Sequence, residues 1–172
     1  MGAVMEETGL QLELVTEFTV LGRPQQRGSK QASLIPKRGG GFAMKNGRPI
    51  LVCRDDNRKS KDYMQEVRCA AAEAYGQQEL LTGPIALAVT FYFNRPQSHY
   101  GSGKNVRVLK PSAPLIHAQS PDIAKLLRCF EDALTGIVWQ DDRQVFRYCG
   151  DTSRKWTEGQ ERAEAFIYTV KD

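Results

Sequence analysis

Three aspartates in the second half of the chain are the residues best suited to chemistry. Asp122 opens a segment with periodic apolar residues, and the pair Asp141-Asp142 follows the end of that segment. Carboxylates on neighbouring elements can converge on one hard cation, because Mg²⁺ is held by one or two carboxylates together with waters and substrate phosphates. The alternative is structural, since an aspartate in a first helical turn complements the helix dipole and an Asp-Asp pair commonly forms a turn.

The segment between these aspartates predicts an amphipathic helix. Its apolar residues recur at helical spacing and therefore share one face; they are Ile123, Leu126, Leu127, Phe130 and Leu134. Pro121 suits a first helical position, and Gly136 follows the last apolar residue as a stop signal. We therefore expect a helix over residues 121–134, with Asp122 in its first turn and the acidic pair in the bend after it.

Three pieces of this region resemble one known family. They are Pro-Asp at 121–122, Asp-Ala-Leu-Thr-Gly at 132–136 and Asp-Asp-Arg-Gln-Val at 141–145, and Gly-Arg-Pro at 22–24 adds a fourth. Their order and spacing are similar to the active-site region of the RusA family of Holliday junction resolvases of bacteria and their phages. The resemblance implies a homodimeric endonuclease that cuts four-way DNA junctions with Mg²⁺ or Mn²⁺, in DNA recombination and repair.

The same resemblance implies roles for individual residues. Asp122 and Asp142 would bind the metal with Asp141 as an outer ligand, and Arg128 would replace the family's catalytic lysine. The family carries a further aspartate two residues after the first, where this chain has Ala124. We therefore expect the chain to bind junction DNA but to cleave it weakly or not at all. Two alternatives stay open: a non-catalytic protein that binds branched DNA, and a metal-dependent nuclease that acts on other DNA structures.

Positive charge is concentrated in the N-terminal third of the chain. Residues 21–61 contain eleven lysines and arginines against two aspartates, whereas the formal net charge of the whole chain is only +4. Such a concentration is typical of a protein that binds a phosphate backbone, although a solvated basic surface gives the same pattern. The predicted DNA-binding residues are Arg23, Arg27, Lys30, Lys37, Arg38 and Lys125.

Length and patterning predict a single compact domain of the α/β (α+β) class, similar to the RusA family, with two main helices packed on a mixed sheet. The expected strands are 10–21, a short one at 49–53, a central one at 85–93, then 144–149 and 163–170, and the other helix is expected over 55–78. The remaining stretches are expected to be a flexible leader at 1–9, long basic loops at 22–50 and 94–120, and a polar loop at 151–161.

The cysteines and the hydropathy pattern bear on the compartment. Four cysteines without a CxxC pair predict neither a disulfide framework nor a zinc site. No window reaches the apolar length of a membrane span, and the N-terminus lacks a signal-peptide pattern. These features predict a cytoplasmic protein with Cys69 and Cys129 in its core, and the resemblance implies association with the nucleoid and a bacterial or phage origin.

Overall fold

A six-stranded sheet forms the frame of the protein in the computed structural model, which describes residues 4–7, 9–55 and 57–170. In chain order the strands are β1 (Val4–Glu7), β2 (Leu10–Leu21), β3 (Lys30–Leu34), β4 (Met44–Lys45), β5 (Arg48–Pro49), β6 (Leu51–Asp55), β7 (Ile85–Asn94), β8 (Val145–Tyr148), β9 (Ser153–Thr157) and β10 (Arg162–Val170). The helices are α1 (Lys59–Tyr75) and α2 (Ile123–Leu134).

The order of the main sheet is β1-β2-β10-β7-β8, and β9 also pairs with β7. The pairs β1–β2, β2–β10 and β10–β7 are antiparallel, whereas β8 and β9 run parallel to β7. β8 pairs with the first residues of β7 and β9 with its last ones, so the two short strands share one edge. The mixed sheet confirms the predicted class.

β7 is central because its residues are apolar on both faces. Nearly every side chain from Ile85 to Phe93 is buried, which confirms the prediction drawn from the continuous apolar run. β2 instead alternates between buried and exposed positions, so it covers the core with one face. Most buried residues lie on the side of the sheet that carries the helices, and a smaller cluster around Leu12 and Cys149 covers the other side.

α2 is fixed to the sheet by aromatic packing around Phe130, whose side chain is fully buried. Its ring lies 5.4 Å from that of Phe91 in an edge-to-face arrangement, and 6.4 Å from that of Phe18. The ring of Tyr63 on α1 lies 6.2 Å away and completes the contact between the two helices. The predicted apolar face of α2 is therefore the face that packs on the sheet.

Several stretches that were expected to be irregular contain strands. Val4–Glu7 pairs with β2, so the expected leader at 1–9 is wrong for those residues, and residues 1–3 and 8 lie outside the described part. Within 22–50, β3 pairs with β6, and β4 and β5 form a hairpin. The hairpin turns at Asn46-Gly47, both with positive φ, as this dipeptide favours. In the expected loop 151–161, β9 extends the sheet.

The start of each helix also differs from the sequence-based expectation. α1 begins at Lys59, because the residues before it form β6; Asn57 accepts a hydrogen bond from the Lys59 amide, and Asp56 lies outside the described residues. Asp122 is the extended residue before α2, and Leu126 donates the first helical hydrogen bond to its carbonyl. Pro121 therefore precedes the helix instead of forming its first turn.

The remaining observations concern two cysteines, the segment 94–120 and the length of the helices. Cys129 is buried as expected, but Cys69 is exposed because it lies on the solvent side of α1. The segment 94–120 contains two short 3₁₀ turns, Gln97–His99 and Gly103–Asn105. In the described part of the chain, no helix has the length and apolar character needed to cross a membrane.

Phe130 offers a test of this packing. We expect Phe130→Ala to lower the free energy of unfolding by about 3–5 kcal/mol, because it removes a fully buried ring and leaves a cavity between α2 and the sheet. Leu115→Ala is the control, since that side chain is 89% exposed and the change should stay within about 0.5 kcal/mol. Urea denaturation measures both, and equal stability of the two variants would contradict the packing described.

Candidate functional site

Asp122 stands at the N-terminal end of α2 with its side chain turned to solvent. Its backbone amide donates to Oε1 of Gln26 at 2.8 Å, and the carbonyl of Pro121 accepts from Arg154 of β9 at 2.7 Å. The carboxylate does not cap the helix, is 67% exposed, and lies 3.8 Å from Nζ of Lys125. The backbone of Asp122 is therefore fixed while its carboxylate remains open to a ligand.

The two aspartates of the acidic pair 141–142 have different surroundings. The Asp141 side chain accepts from the Arg143 amide at 3.0 Å, and Gln144 Oε1 accepts from the Asp141 amide at 2.9 Å, which forms a capping box. Gln144 Nε2 also donates to the carbonyl of Leu81 at 2.8 Å. Asp141 therefore holds the turn together, whereas Asp142 is exposed at the surface of the turn.

Glu131 is a site residue that the sequence reasoning missed. Its carboxylate accepts a hydrogen bond of 2.6 Å from the hydroxyl of Tyr148 on β8. Burial raises the pKa of Glu131, and the negative charge of Asp142 raises it further, against the lowering effects of the Tyr148 hydrogen bond and of Arg128. Burial, followed by the hydrogen bond to Glu131, raises the pKa of the Tyr148 hydroxyl. Glu131 and Tyr148 are therefore in contact, and the charge of Asp142 acts on both of them.

Three residues of the candidate site lie on one face of α2. Ala124, Arg128 and Glu131 are spaced by four and three residues, so their side chains leave the helix in similar directions. Ala124 and Arg128 are exposed and Glu131 is partly buried. Nothing in the sequence pattern revealed the role of Glu131, because its partner Tyr148 comes from a strand that follows the acidic turn.

The structure thus brings Asp122 to Lys125 and Glu131 to Tyr148, and it leaves Asp142 within electrostatic range of Glu131. Asp122 precedes Glu131 by about 13 Å along the helix axis. No group of three or more His, Cys, Asp or Glu side chains in the described residues is arranged to hold a metal ion. The carboxylate oxygens of Asp122 and Asp142 are nevertheless the donors that a hard divalent cation prefers, and a Mg²⁺ site needs only one or two of them.

The segment 22–29, which we call the strap, lies along α2. The Arg27 amide donates to the Lys125 carbonyl at 3.1 Å, and Lys125 Nζ donates to Ser29 Oγ at 3.2 Å. The Arg27 guanidinium forms an ion pair with Asp132 at 2.9 Å and contacts the sulfur of Met64. Arg27 therefore anchors the strap to the helix, in addition to any contact with DNA.

The other predicted DNA-binding residues occupy different surroundings. Arg23 lines a cleft of about 200 Å³ together with Gln26 and Pro121, next to Asp122. Lys37 and Arg38 are exposed on the connection between β3 and β4. Lys30 lies in β3, and its side chain is outside the described part of the structure. Among the predicted DNA-binding residues, those of the strap and Lys125 thus lie nearest to Asp122.

Comparison with known proteins relates this site to a family. The family described as endodeoxyribonuclease RusA matches residues 43–168, which include α2 and the acidic turn but not the strap. A Bacillus subtilis (strain 168) protein, named uncharacterized protein YqaN, is 28% identical over 134 residues. That alignment covers 75% of this chain and 80% of the B. subtilis protein.

The raised pKa of Glu131 predicts a pH dependence of stability. A carboxyl whose pKa is higher in the folded state contributes stability that is full below its unfolded pKa and is lost as the pH rises through the folded pKa. Glu131→Gln removes that loss, so we expect the stability of the variant relative to wild type to increase as the pH rises from the usual range of a glutamate pKa, about 4. Urea denaturation across this range measures it, and parallel pH profiles would contradict the assignment.

Proposed function

The chain belongs to the endodeoxyribonuclease RusA family, and from this we propose that it is an endonuclease that cuts four-way DNA junctions by phosphodiester hydrolysis, with an activity weakened by the alanine at position 124. The observation that carries the proposal is one face of α2, where Arg128 is exposed and is followed by Glu131, which accepts a hydrogen bond from Tyr148 and is influenced by the charge of Asp142. All of these residues fall within the range that matches the family. Recombination and repair of DNA are the processes in which such junctions arise.

The reaction needs a proton acceptor for a water and positive charge for the phosphate. The water oxygen forms a bond to phosphorus, its proton passes to a carboxylate, and the bond from phosphorus to the 3′-oxygen breaks. Arg128 would neutralise charge on the phosphate as a preorganised cation, and Lys125 would contact the neighbouring backbone. A bound Mg²⁺ or Mn²⁺ would supply Lewis acidity and lower the pKa of the attacking water.

We further propose that Asp122 and Asp142 are the metal ligands, with Asp141 as an outer ligand held by its capping box. Carboxylate oxygens suit a hard cation, and waters and substrate phosphates complete its coordination. Because the charge of Asp142 acts on Glu131, which lies further along α2 than Asp122, the competing pair of ligands is Asp142 with Glu131. A homodimer belongs to the same proposal, because a two-fold junction presents two equivalent strands to a two-fold protein.

Amide variants of three carboxylates separate these ligand sets. We expect Asp122→Asn and Asp142→Asn each to slow Mn²⁺-dependent cleavage of a synthetic four-way junction by about 100-fold or more, because several kcal/mol of charge stabilisation are lost. Junction affinity should change little, and Glu131→Gln should stay within about 5-fold of wild type. Asp62→Asn, in an exposed first turn of α1, is the matched control.

Other outcomes of this experiment decide between the alternatives. If Glu131→Gln and Asp142→Asn are equally damaging while Asp122→Asn retains activity, the ligands are Asp142 and Glu131. Tight junction binding without cleavage in wild type indicates a non-catalytic DNA-binding protein, which the alanine at position 124 favours. Equal affinity for a junction and for linear duplex at matched salt indicates a nuclease that acts on other DNA structures.

Ala124 offers a gain-of-function test. We expect Ala124→Asp to raise Mg²⁺-dependent junction cleavage by about 10-fold or more, because it adds a carboxylate on the face of α2 that carries Arg128. Ala124→Asn, which has nearly the same shape but no charge, is the control and should gain nothing. If the aspartate variant is no faster than the asparagine variant, position 124 is not the place of a missing ligand.

A further inference from the structure

A cleft of about 470 Å³ opens where β7 ends, and none of its lining residues belongs to α2. Its lining includes Asn94, Arg95, Gln97, Tyr100, Arg107 and Thr157. Asn94 and Thr157 are paired in register as the last residues of β7 and β9, so one wall belongs to the sheet. The other wall belongs to the segment 94–120, which leads from β7 to Asp122. We refer to this space as the strand-end cleft.

Three side-chain groups on the strand-end cleft have no partner among the described residues. The side-chain amide of Asn94, the Tyr100 hydroxyl and the Arg107 guanidinium make no hydrogen bond or ion pair there, whereas the backbone amide of Asn94 donates to Oε1 of Glu161 at 3.1 Å. Their neighbours are fixed instead: Arg95 donates to the Pro114 carbonyl at 2.7 Å, and Gln97 donates to the Val106 carbonyl at 3.3 Å. The cleft therefore combines a rigid wall with donors and acceptors that remain available to a ligand.

The wall is held by packing of imidazole rings on an indole ring. The ring of His117 lies 4.2 Å from that of Trp156 in a tilted arrangement, and the ring of His99 lies 5.1 Å from it edge-on. Both histidines are buried, and the Arg95 guanidinium lies 5.3 Å from the centre of the Trp156 ring. This packing keeps the segment 94–120 against β9, so the strand-end cleft is formed before any ligand binds.

The chemistry of the cleft matches a nucleotide. Tyr100 provides an aromatic ring for stacking, Asn94 and Gln97 provide amides for a base edge, and Arg107 provides a cation for a phosphate. The segment 94–120 contains Arg95, Lys104, Arg107 and Lys110 but no acidic residue. One acidic side chain, Glu158, also lines the cleft, and its carboxylate could accept from an exocyclic amino group of a base.

We propose that the strand-end cleft binds one unpaired nucleotide of branched DNA, with its base on Tyr100 and its phosphate on Arg107. The inference rests on the proposed function for the identity of the polymer, and it adds a second contact region at a distance from the carboxylates. Arg154 connects the two regions, because it extends from β9 to the Pro121 carbonyl. A strand held in the cleft would thus be positioned relative to Asp122.

The test uses binding of short oligonucleotides to the full chain without a divalent ion. The probes are fluorescein-labelled tetrathymidylate and a tetramer of the same length with abasic sites. Tyr100→Ala should weaken tetrathymidylate binding by about 10-fold, and Tyr100→Phe, which keeps the ring, should stay within about 2-fold of wild type. Arg107→Ala should reduce the slope of log affinity against log salt by about 0.7, whereas Lys104→Ala, an equal loss of charge outside the cleft, should not.

Two results would overturn the proposal. The first is equal binding of the abasic and thymidine tetramers by wild type, since the cleft would then recognise phosphate alone. The second is unchanged binding of tetrathymidylate by the Tyr100→Ala and Arg107→Ala variants, when thermal melting shows that both variants are folded. If Tyr100→Ala does not fold, the proposal is decided by the comparison of abasic and thymidine tetramers and by the Arg107→Ala variant, because Arg107 is exposed. Intact tetramer binding in a chain that neither binds nor cleaves four-way junctions, also after Ala124→Asp, refutes the proposed function and leaves the cleft assignment standing.

Discussion

Burial of one face of α2 against the sheet is the constraint on which the candidate site depends. Phe130 and Leu126 are fully buried, and the ring of Phe130 packs on aromatic side chains from β2, β7 and α1. With that face fixed, the rotation of the helix is fixed too, and the opposite face must carry Arg128 and Glu131 outward. The direction in which the polar groups point therefore follows from apolar packing and not from their own interactions.

Hydrogen bonds from side chains to the backbone then hold the connecting segments on this scaffold. Arg154 reaches the carbonyl before Asp122, and Gln144 joins the acidic turn to the chain at Leu81. The strap is attached to α2 through Arg27 and Lys125. Each contact links an irregular segment to a regular element, so the surface groups on these segments have defined positions. Preorganisation of this kind limits the entropy lost when a ligand is bound.

The sequence predicted those elements whose apolar residues follow a clear pattern, either a continuous run or a strand or helical period. The continuous apolar run of β7, the alternation in β2 and β10 and the helical spacing in α2 all carry that signal. β3 and β9 have little apolar contrast, because Lys30, Gln31 and Arg154 are polar, so their pairing depends on strands far away in sequence. For the site, Asp122 and Asp142 could be chosen from spacing and resemblance. The coupling of Glu131 to Tyr148 could not be inferred, since it forms only after β8 joins the sheet beside β7.

The division of one edge of β7 between β8 and β9 interrupts the border of the sheet on that side. The two strands are separated by residues 149–152, which include Gly150 with a positive φ, and a Cβ atom at that position would lie 3.6 Å from the Ala88 side chain. The outer border on that side is therefore two short ladders with a break between them, not one long row of free amides and carbonyls. Such an interrupted border is a poor template for a strand from another molecule, and it protects the sheet from edge-to-edge aggregation.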